Sequence, residues 1–405
     1  HKLPMFSRMA SAAYKKDLTN IRLLCEQLDN PHQQFKTIHV PGTNGKGSVS
    51  HMLAAVFNAA GYKTGLYTSP HLYDFRERIR INGVMIPEEF VIEFVESQKA
   101  NIETIEPSFF EITVAMAFQY FANENVDVAI IEVGLGGRLD STNIINPELS
   151  IITNIGWDHM NMLGNTLSEI AAEKAGIIKQ ETPVVIGEKH PETEAVFIQI
   201  AGQKNAPIYF AEDHFSVEAF SLNTDSISIS VQKEKQTFAT FDLDLPGIYQ
   251  TRNILTLLQG ITILQEKGYT ITSEQIKAAL TQTKKITGLW GRWQVINNHP
   301  MVVLEVAHNK NGIEQMLAHL QHLQYGQLHL VMGMVKDKEV ETVLQLLPKN
   351  AHYCFTQAQI PRALPAEELK GKADVLGLKG SVHDNVNNAL HYAIEKAAAN
   401  DLIIV

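Results

Sequence analysis

Short apolar runs alternate with stretches of helical spacing through the first part of the chain. Lys36 to Val40, Val126 to Val133, Ser150 to Ile155 and Pro183 to Ile186 read as strands, and Ser48 to Ala59 and Pro107 to Asn123 as amphipathic helices. Strands alternating with helices predict a mostly parallel sheet covered on both faces. Between Ala206 and Leu245 the period changes. Ser226-Ile227-Ser228-Ile229-Ser230-Val231 alternates strictly, which predicts a half-buried antiparallel strand in a small sheet appended to the first domain. A helical segment follows from about Gln250 to Lys284, and Gly288-Leu289-Trp290-Gly291-Arg292 breaks the pattern. Beyond it, Met301 to Val306, Leu328 to Met332, His352 to Phe355, Ala373 to Leu376 and Asp401 to Val405 read as strands of a smaller, Rossmann-like α/β unit. The expected class is α/β throughout, with a first domain over 1–287, a hinge over 288–298 and a carboxyl-terminal domain over 299–405.

Composition narrows what such a fold can do. At 405 residues the chain is too long for one ordinary core. Its formal net charge of −10 leaves no basic surface for nucleic acid. Apolar runs such as Val128 to Ile131 are interrupted too early to span a bilayer, and His1-Lys2-Leu3-Pro4 does not open an export signal. Only Cys25 and Cys354 are present, far apart, which points to a reducing, cytoplasmic compartment and away from a disulfide framework.

The chemistry concentrates after the first strand. In Pro41-Gly42-Thr43-Asn44-Gly45-Lys46-Gly47-Ser48 the glycines let backbone N–H groups turn around an anion, Lys46 brings a movable positive charge, and Ser48 opens a helix with its hydroxyl placed for magnesium. The spacing departs from the strict phosphate-loop pattern, because Gly47 intervenes between Lys46 and Ser48. Glu132 ends a buried-type strand, where a doubly wound sheet presents a metal ligand to a nucleotide. Thr153-Asn154-Ile155-Gly156-Trp157-Asp158-His159 is another strand followed by polar residues. An isolated histidine packs or meets solvent more often than it ligates, so spacing alone leaves His159 open. Thr166 to Glu169 is a capping box, and Lys174 follows on the apolar side of that helix, where lysines usually snorkel outward. Phe110 by spacing alone reads equally as a core residue.

Taken together, Gly42 to Ser48, Thr68-Ser69-Pro70-His71-Leu72 with Arg76-Glu77-Arg78-Ile79, Glu132 to Arg138 with Asp140, Asp158-His159 with Leu163-Gly164, and Glu173-Lys174-Ala175-Gly176-Ile177 resemble folylpolyglutamate synthase/dihydrofolate synthase, the folate branch of the Mur-type ATP-dependent ligases. The resemblance runs over nearly the whole chain and implies a set of roles. ATP would lie on Gly42, Thr43, Asn44, Gly45, Lys46, Gly47 and Ser48, with Asn253, Arg292, Glu305 and His308 reaching it from the hinge and the carboxyl-terminal domain. Two magnesium ions are implied, one on Ser48 and Glu132, the other on Ser69, Glu132 and His159. Lys46, Glu132, His159 and Lys174 would serve catalysis, Lys174 as a carbamate (N6-carboxylysine), while Phe110 and Asp140 would contact the pterin.

The implied reaction adds L-glutamate to dihydropteroate, to reduced folates, or to both, through an acyl phosphate on a monomeric enzyme. Glu305 stands where the family has aspartate and Lys310 where it has proline. Gly333 with Lys336-Asp337-Lys338, and Pro361-Arg362-Ala363, match further family segments. The family also continues past the strand that ends at Val405, so a carboxyl-terminal domain cut short at its end is expected. Those departures keep in view an ATP-binding relative with a regulatory or interaction role; the sister activity, a peptidoglycan-precursor ligase, is a second alternative, in which Ser69-Pro70-His71-Leu72 has no clear role.

Overall fold

The computed structural model describes residues 17–336 and 340–405; Asp337 and Lys338 lie outside the described residues. The larger sheet has eight strands: β1 (Lys36–Val40), β2 (Thr64–Tyr67), β3 (Ile79–Ile81), β4 (Val84–Met85), β5 (Val128–Glu132), β6 (Leu149–Ile152), β7 (Val184–Ile186) and β8 (Ile208–Phe210), in the spatial order β4-β3-β2-β5-β1-β6-β7-β8. Only the two pairings of β3, with β2 and with β4, are antiparallel. Every residue of β5 is buried, which is why its sequence is apolar without alternation up to the terminal Glu132. One face packs on the helices Lys46–Ala59 and Gln250–Glu266, the other on the helices Thr19–Glu26 and Phe109–Asn123.

The predicted alternation takes its expected form in β9 (Phe215–Leu222), β10 (Ile227–Lys233) and β11 (Gln236–Leu243), an antiparallel sheet in the order β11-β10-β9. Ile227, Ile229 and Val231 turn into the same core as the helix Lys46–Ala59, so the appendage is fastened to the first domain by burial. The long helical segment is three helices, Gln250–Glu266, Ser273–Leu280 and Thr283–Thr287.

The carboxyl-terminal sheet comprises β12 (Gln294–Asn298), β13 (Met301–Leu304), β14 (Leu328–Met332), β15 (His352–Phe355), β16 (Gly380–Val382) and β17 (Leu402–Ile404), in the order β12-β13-β17-β14-β15-β16. β12 falls in the segment read as hinge and pairs antiparallel with β13; the other pairs are parallel. Ala373 to Leu376 is not a strand. It closes the helix Ala366–Val375, whose Leu369 and Ala373, four apart, face the core, and Gly377 at φ +77° ends it with Leu378 N donating to Ala373 O and Gly377 N to Asp374 O. A four-residue apolar run carries too little period to separate the two structures.

β1 lies between β5 and β6, and the connections leave these strands toward opposite halves of the sheet. Their carboxyl ends therefore bound the crevice in which an open α/β sheet binds ligand.

Candidate active site

The loop after β1 is tied down on the far side by the residues that follow β6. Thr43 N donates to Asn154 O (3.0 Å), Asn44 N to Asn154 Oδ1 (2.8 Å), and Thr153 Oγ1 to Asn44 O (2.6 Å). Gly45 adopts φ +82°, and a β-carbon there would lie 2.4 Å from Asn253 Oδ1, so both conformation and space demand glycine. Asn253 in turn donates to Gln250 Oε1, and Gln250 Nε2 donates to the buried Ser48 Oγ at 3.2 Å. The first turns of two helices thus meet at the loop.

Two lysines converge on one carbonyl. Lys46 Nζ donates to Gly42 O (2.9 Å) and Thr43 O (3.2 Å), and Lys174 Nζ donates to Gly42 O at 2.9 Å. Lys174 does not snorkel: it is buried. The reason lies in its helix, Leu167–Ala175, which docks closely against the segment after β5. A β-carbon on Gly137 would sit 2.8 Å from Lys174 O, one on Gly176 would sit 2.3 Å from Arg138 Cβ, and Arg138 Nη2 donates to Glu173 Oε1 at 2.8 Å. Burial, with the charge of Lys46 beside it, depresses Lys174 to about 7. Lys46 is also lowered by burial, opposed by Glu132 and Asp158.

Glu132 is buried at the end of β5, and burial raises its carboxyl while the charge of Lys46 opposes the shift. It accepts a hydrogen bond from Ser69 N (3.1 Å). A β-carbon on Gly47 would lie 3.8 Å from Glu132 Oε1 and 3.2 Å from Arg292 Nη2, so Ser69, the Gly47–Ser48 turn, Glu132 and Arg292 share one place. The Ser69 segment is braced by its companion motif: Arg78 Nε donates to His71 Nδ1 and Leu72 N to Glu77 Oε2. His159 adopts φ +50°, with its Nε2 3.7 Å from Asp158 Oδ2. Among the described residues no group of three His, Cys, Asp or Glu could hold a metal ion. A buried carboxylate that holds the Ser69 amide and lies beside the Gly47–Ser48 turn still fits magnesium, which binds through one or two carboxylates, keeps several waters and takes other oxygens from phosphate.

Phe110 and Asp140 are brought together across Gly134. A β-carbon there would lie 2.5 Å from Phe110 Cζ and 3.2 Å from Asp140 Oδ2. Phe110 is partly exposed and Asp140 is buried; its Oδ2 accepts from Leu135 N (2.8 Å) and its Oδ1 from Thr142 N (3.0 Å) and Thr142 Oγ1 (2.5 Å).

The carboxyl-terminal domain reaches the loop mainly through asparagines to which the sequence assigned no role. Asn44 Nδ2 donates to Asn311 Oδ1 (2.9 Å) and Asn309 Oδ1 (3.3 Å), and Asn309 Nδ2 donates to Asn44 Oδ1 (3.1 Å) and Asp158 Oδ2 (3.3 Å). His308 is exposed, its Nε2 3.7 Å from the same Asp158 oxygen. Glu305 Oε2 accepts from Tyr249 OH (3.1 Å) and Trp293 N (3.0 Å), an attachment that uses the longer side chain within the protein. Burial raises Glu305, with Arg292 opposing. Lys336 N donates to Arg362 O and Val335 pairs with Ala363, so these parts of the two further matched segments lie side by side. Asp158 and Asn309 had a signal in their neighbours His159 and His308; Asn311 and Tyr249 had none.

Residues 40–258 match the Mur ligase middle domain and residues 291–405 the Mur ligase glutamate ligase domain. The dihydrofolate synthase/folylpolyglutamate synthase of Bacillus subtilis is 33% identical over 405 residues, covering 96% of this chain and 92% of that protein. The Mycobacterium tuberculosis folylpolyglutamate synthase complexed with ADP superposes with a TM-score of 0.88 at 29% identity, covering 96% of this chain and 91% of that one. A bifunctional folylpolyglutamate synthase/dihydrofolate synthase with Mn, AMPPNP and L-glutamate bound gives 0.84 at 28% identity, with coverage of 96% and 91%. With its crevice geometry, its paired domains and these relatives in agreement, the chain belongs to the folylpolyglutamate synthase/dihydrofolate synthase family of Mur ligases and is an ATP-dependent, amide-forming ligase.

Proposed function

We propose that this chain, acting as a cytoplasmic monomer, joins the α-amine of L-glutamate to the carboxylate of dihydropteroate and also of reduced folates. The observation that carries this reading is the meeting of Lys46, Lys174 and Glu132 around the phosphate loop, with Phe110, from the helix Phe109–Asn123, and Asp140, from the segment after the Glu132 strand, flanking Gly134. The chain is 33% identical to a relative whose name carries both activities.

A carboxylate is a poor electrophile. Its oxygen attacks the γ-phosphorus of ATP, ADP leaves, and the acyl phosphate so formed is attacked by the glutamate amine, which expels phosphate and releases a proton. Lys46 exchanges its two carbonyl partners for phosphate oxygens, while Gly45 and Ser48 present the helix start to them. Ser48, Ser69, Glu132 and His159 are the residues that would hold two magnesium ions, which supply charge neutralisation where phosphate and carboxylate oxygens meet. Lys174, low enough to lose its proton near neutrality, attacks carbon dioxide as a free amine, loses a proton and becomes an anionic carbamate. Arg292, Asn253, Glu305 and His308 hold the nucleotide from the hinge side, and the Asn309 and Asn311 contacts draw the second domain over the loop and exclude water from the acyl phosphate.

The test is ADP release measured separately with dihydropteroate and with tetrahydrofolate, each with and without glutamate. Release that requires glutamate with both acceptors is the expected result. ADP release indifferent to glutamate removes the ligase reading, and release with only one acceptor removes bifunctionality.

A further inference from the structure

We propose that His39 and Thr142 are positioning residues that aim the Asp140 carboxylate at the pterin acid and set its affinity without touching it. The proposal rests on the assignment of Asp140 to the pterin.

His39 and Thr37 project from β1 on the side opposite Ile38 and Val40, which enter the core beneath the helix Lys46–Ala59. The imidazole is wholly buried, with Nε2 2.8 Å from Thr142 Oγ1, and that hydroxyl lies 2.5 Å from Asp140 Oδ1. An ionised carboxylate only accepts hydrogen bonds, so the single hydroxyl proton of Thr142 points to Asp140. The hydroxyl must then accept from His39. The chain of donors runs one way, from His39 Nε2–H through Thr142 O–H to Asp140.

That direction fixes the histidine tautomer and leaves Nδ1 as a bare acceptor. Nδ1 is buried without a partner among the described residues. A leucine in this slot would bury no stranded acceptor, so the histidine is explained by what its other nitrogen does. Burial, with Lys179 nearby, pushes the ring down to about 3, which keeps it neutral.

The turn that carries Thr142 is anchored on several sides. Asn143 Nδ2 donates to Arg138 O and Gly176 O (3.0 Å each), and Lys179 Nζ donates to Asn143 O at 2.9 Å. With Oδ1 taken by the amide and hydroxyl of Thr142, Oδ2, which accepts from Leu135 N, lies beside Gly134, where the Phe110 ring also approaches. A carboxylate oxygen and an aromatic ring on either side of a glycine suit a flat heterocycle whose edge carries N–H donors.

The experiment is steady-state kinetics on Thr142→Val, Thr142→Ser, His39→Leu, His39→Gln and Asp140→Asn, with KM read separately for dihydropteroate and for ATP and with thermal melts alongside. Thr142→Val is expected to raise the dihydropteroate KM about tenfold and the ATP KM less than about twofold, with Thr142→Ser restoring it. His39→Leu should raise the dihydropteroate KM about threefold, and His39→Gln should restore it because its amide N–H reaches the same place. Equal shifts in both KM values, or no shift in Thr142→Val while Asp140→Asn raises the dihydropteroate KM, overturn the positioning role alone. An unchanged dihydropteroate KM in Asp140→Asn overturns the pterin assignment itself and the proposal with it. Should His39→Leu melt early, the Thr142 pair decides.

Discussion

The two domains bring different currencies to one crevice. From the amino-terminal sheet come buried ionisable groups, Lys46, Lys174, Glu132 and Asp140, each moved from its ordinary pKa by loss of water. From the carboxyl-terminal domain come mostly neutral amides, Asn309 and Asn311, and an exposed His308. Buried charge needs a rigid, enclosing shell and resists exposure, whereas amide contacts are weak enough to break and remake in every turnover. One half stores electrostatics, and the other suits the closure proposed for it.

The sharpest way to break this contrast is Lys46→Met. Removal of a charge aimed at the transferring phosphoryl group should cost about a hundredfold to a thousandfold in kcat, measured as ADP release, with melting temperature little changed. Lys174→Met should lower turnover by about a hundredfold yet raise stability near neutral pH. In the fold Lys174 titrates at about 7, below the unfolded value, so between those two pH values the unfolded chain binds more protons and wild-type stability rises with pH. The slope attributable to this group is at most about 1.4 kcal/mol per pH unit, and it should be missing from the variant in urea melts across that window. Parallel curves would place Lys174 outside the buried set.

On the other side of the contrast, Asn311→Ala should cost about 1 kcal/mol, read as a roughly fivefold rise in ATP KM with kcat almost unchanged. A double-mutant cycle with Asn44→Ala should give non-additive effects, because the two side chains are hydrogen-bonded. The smallest effect is expected from Glu305→Asp, which shortens the reach to Tyr249 OH and Trp293 N and should weaken nucleotide binding about twofold to fivefold by calorimetry.

Legibility in the sequence followed the same division. Strand, glycine turn, lysine and serine must be contiguous to cradle phosphate, so the loop after β1 was readable as a string. β5 and β10 were readable because full burial and half burial impose different periods. The short edge strands β3 and β4 were not, since two or three residues carry no period. Lys174 looked like a surface lysine because pattern alone cannot report the Gly137 and Gly176 approach that turns its helix inward. Asn309 and Asn311, at the start of the helix Lys310–Leu320, reach across more than 260 residues to Asn44, and asparagines at a helix start leave no trace of so distant a partner.

One carbonyl holds a further consequence. Since Gly42 O already receives both Lys46 and Lys174, the phosphate contact proposed for Lys46 would trade an amide oxygen for a phosphate oxygen instead of starting from a bare ammonium. On that proposal the heat released on docking would be the difference between an ion–amide bond and a stronger ion–phosphate bond, and the displaced backbone oxygen would stand ready to recapture Lys46 as product departs. A peptide oxygen held in the place of a phosphate oxygen would favour release over retention.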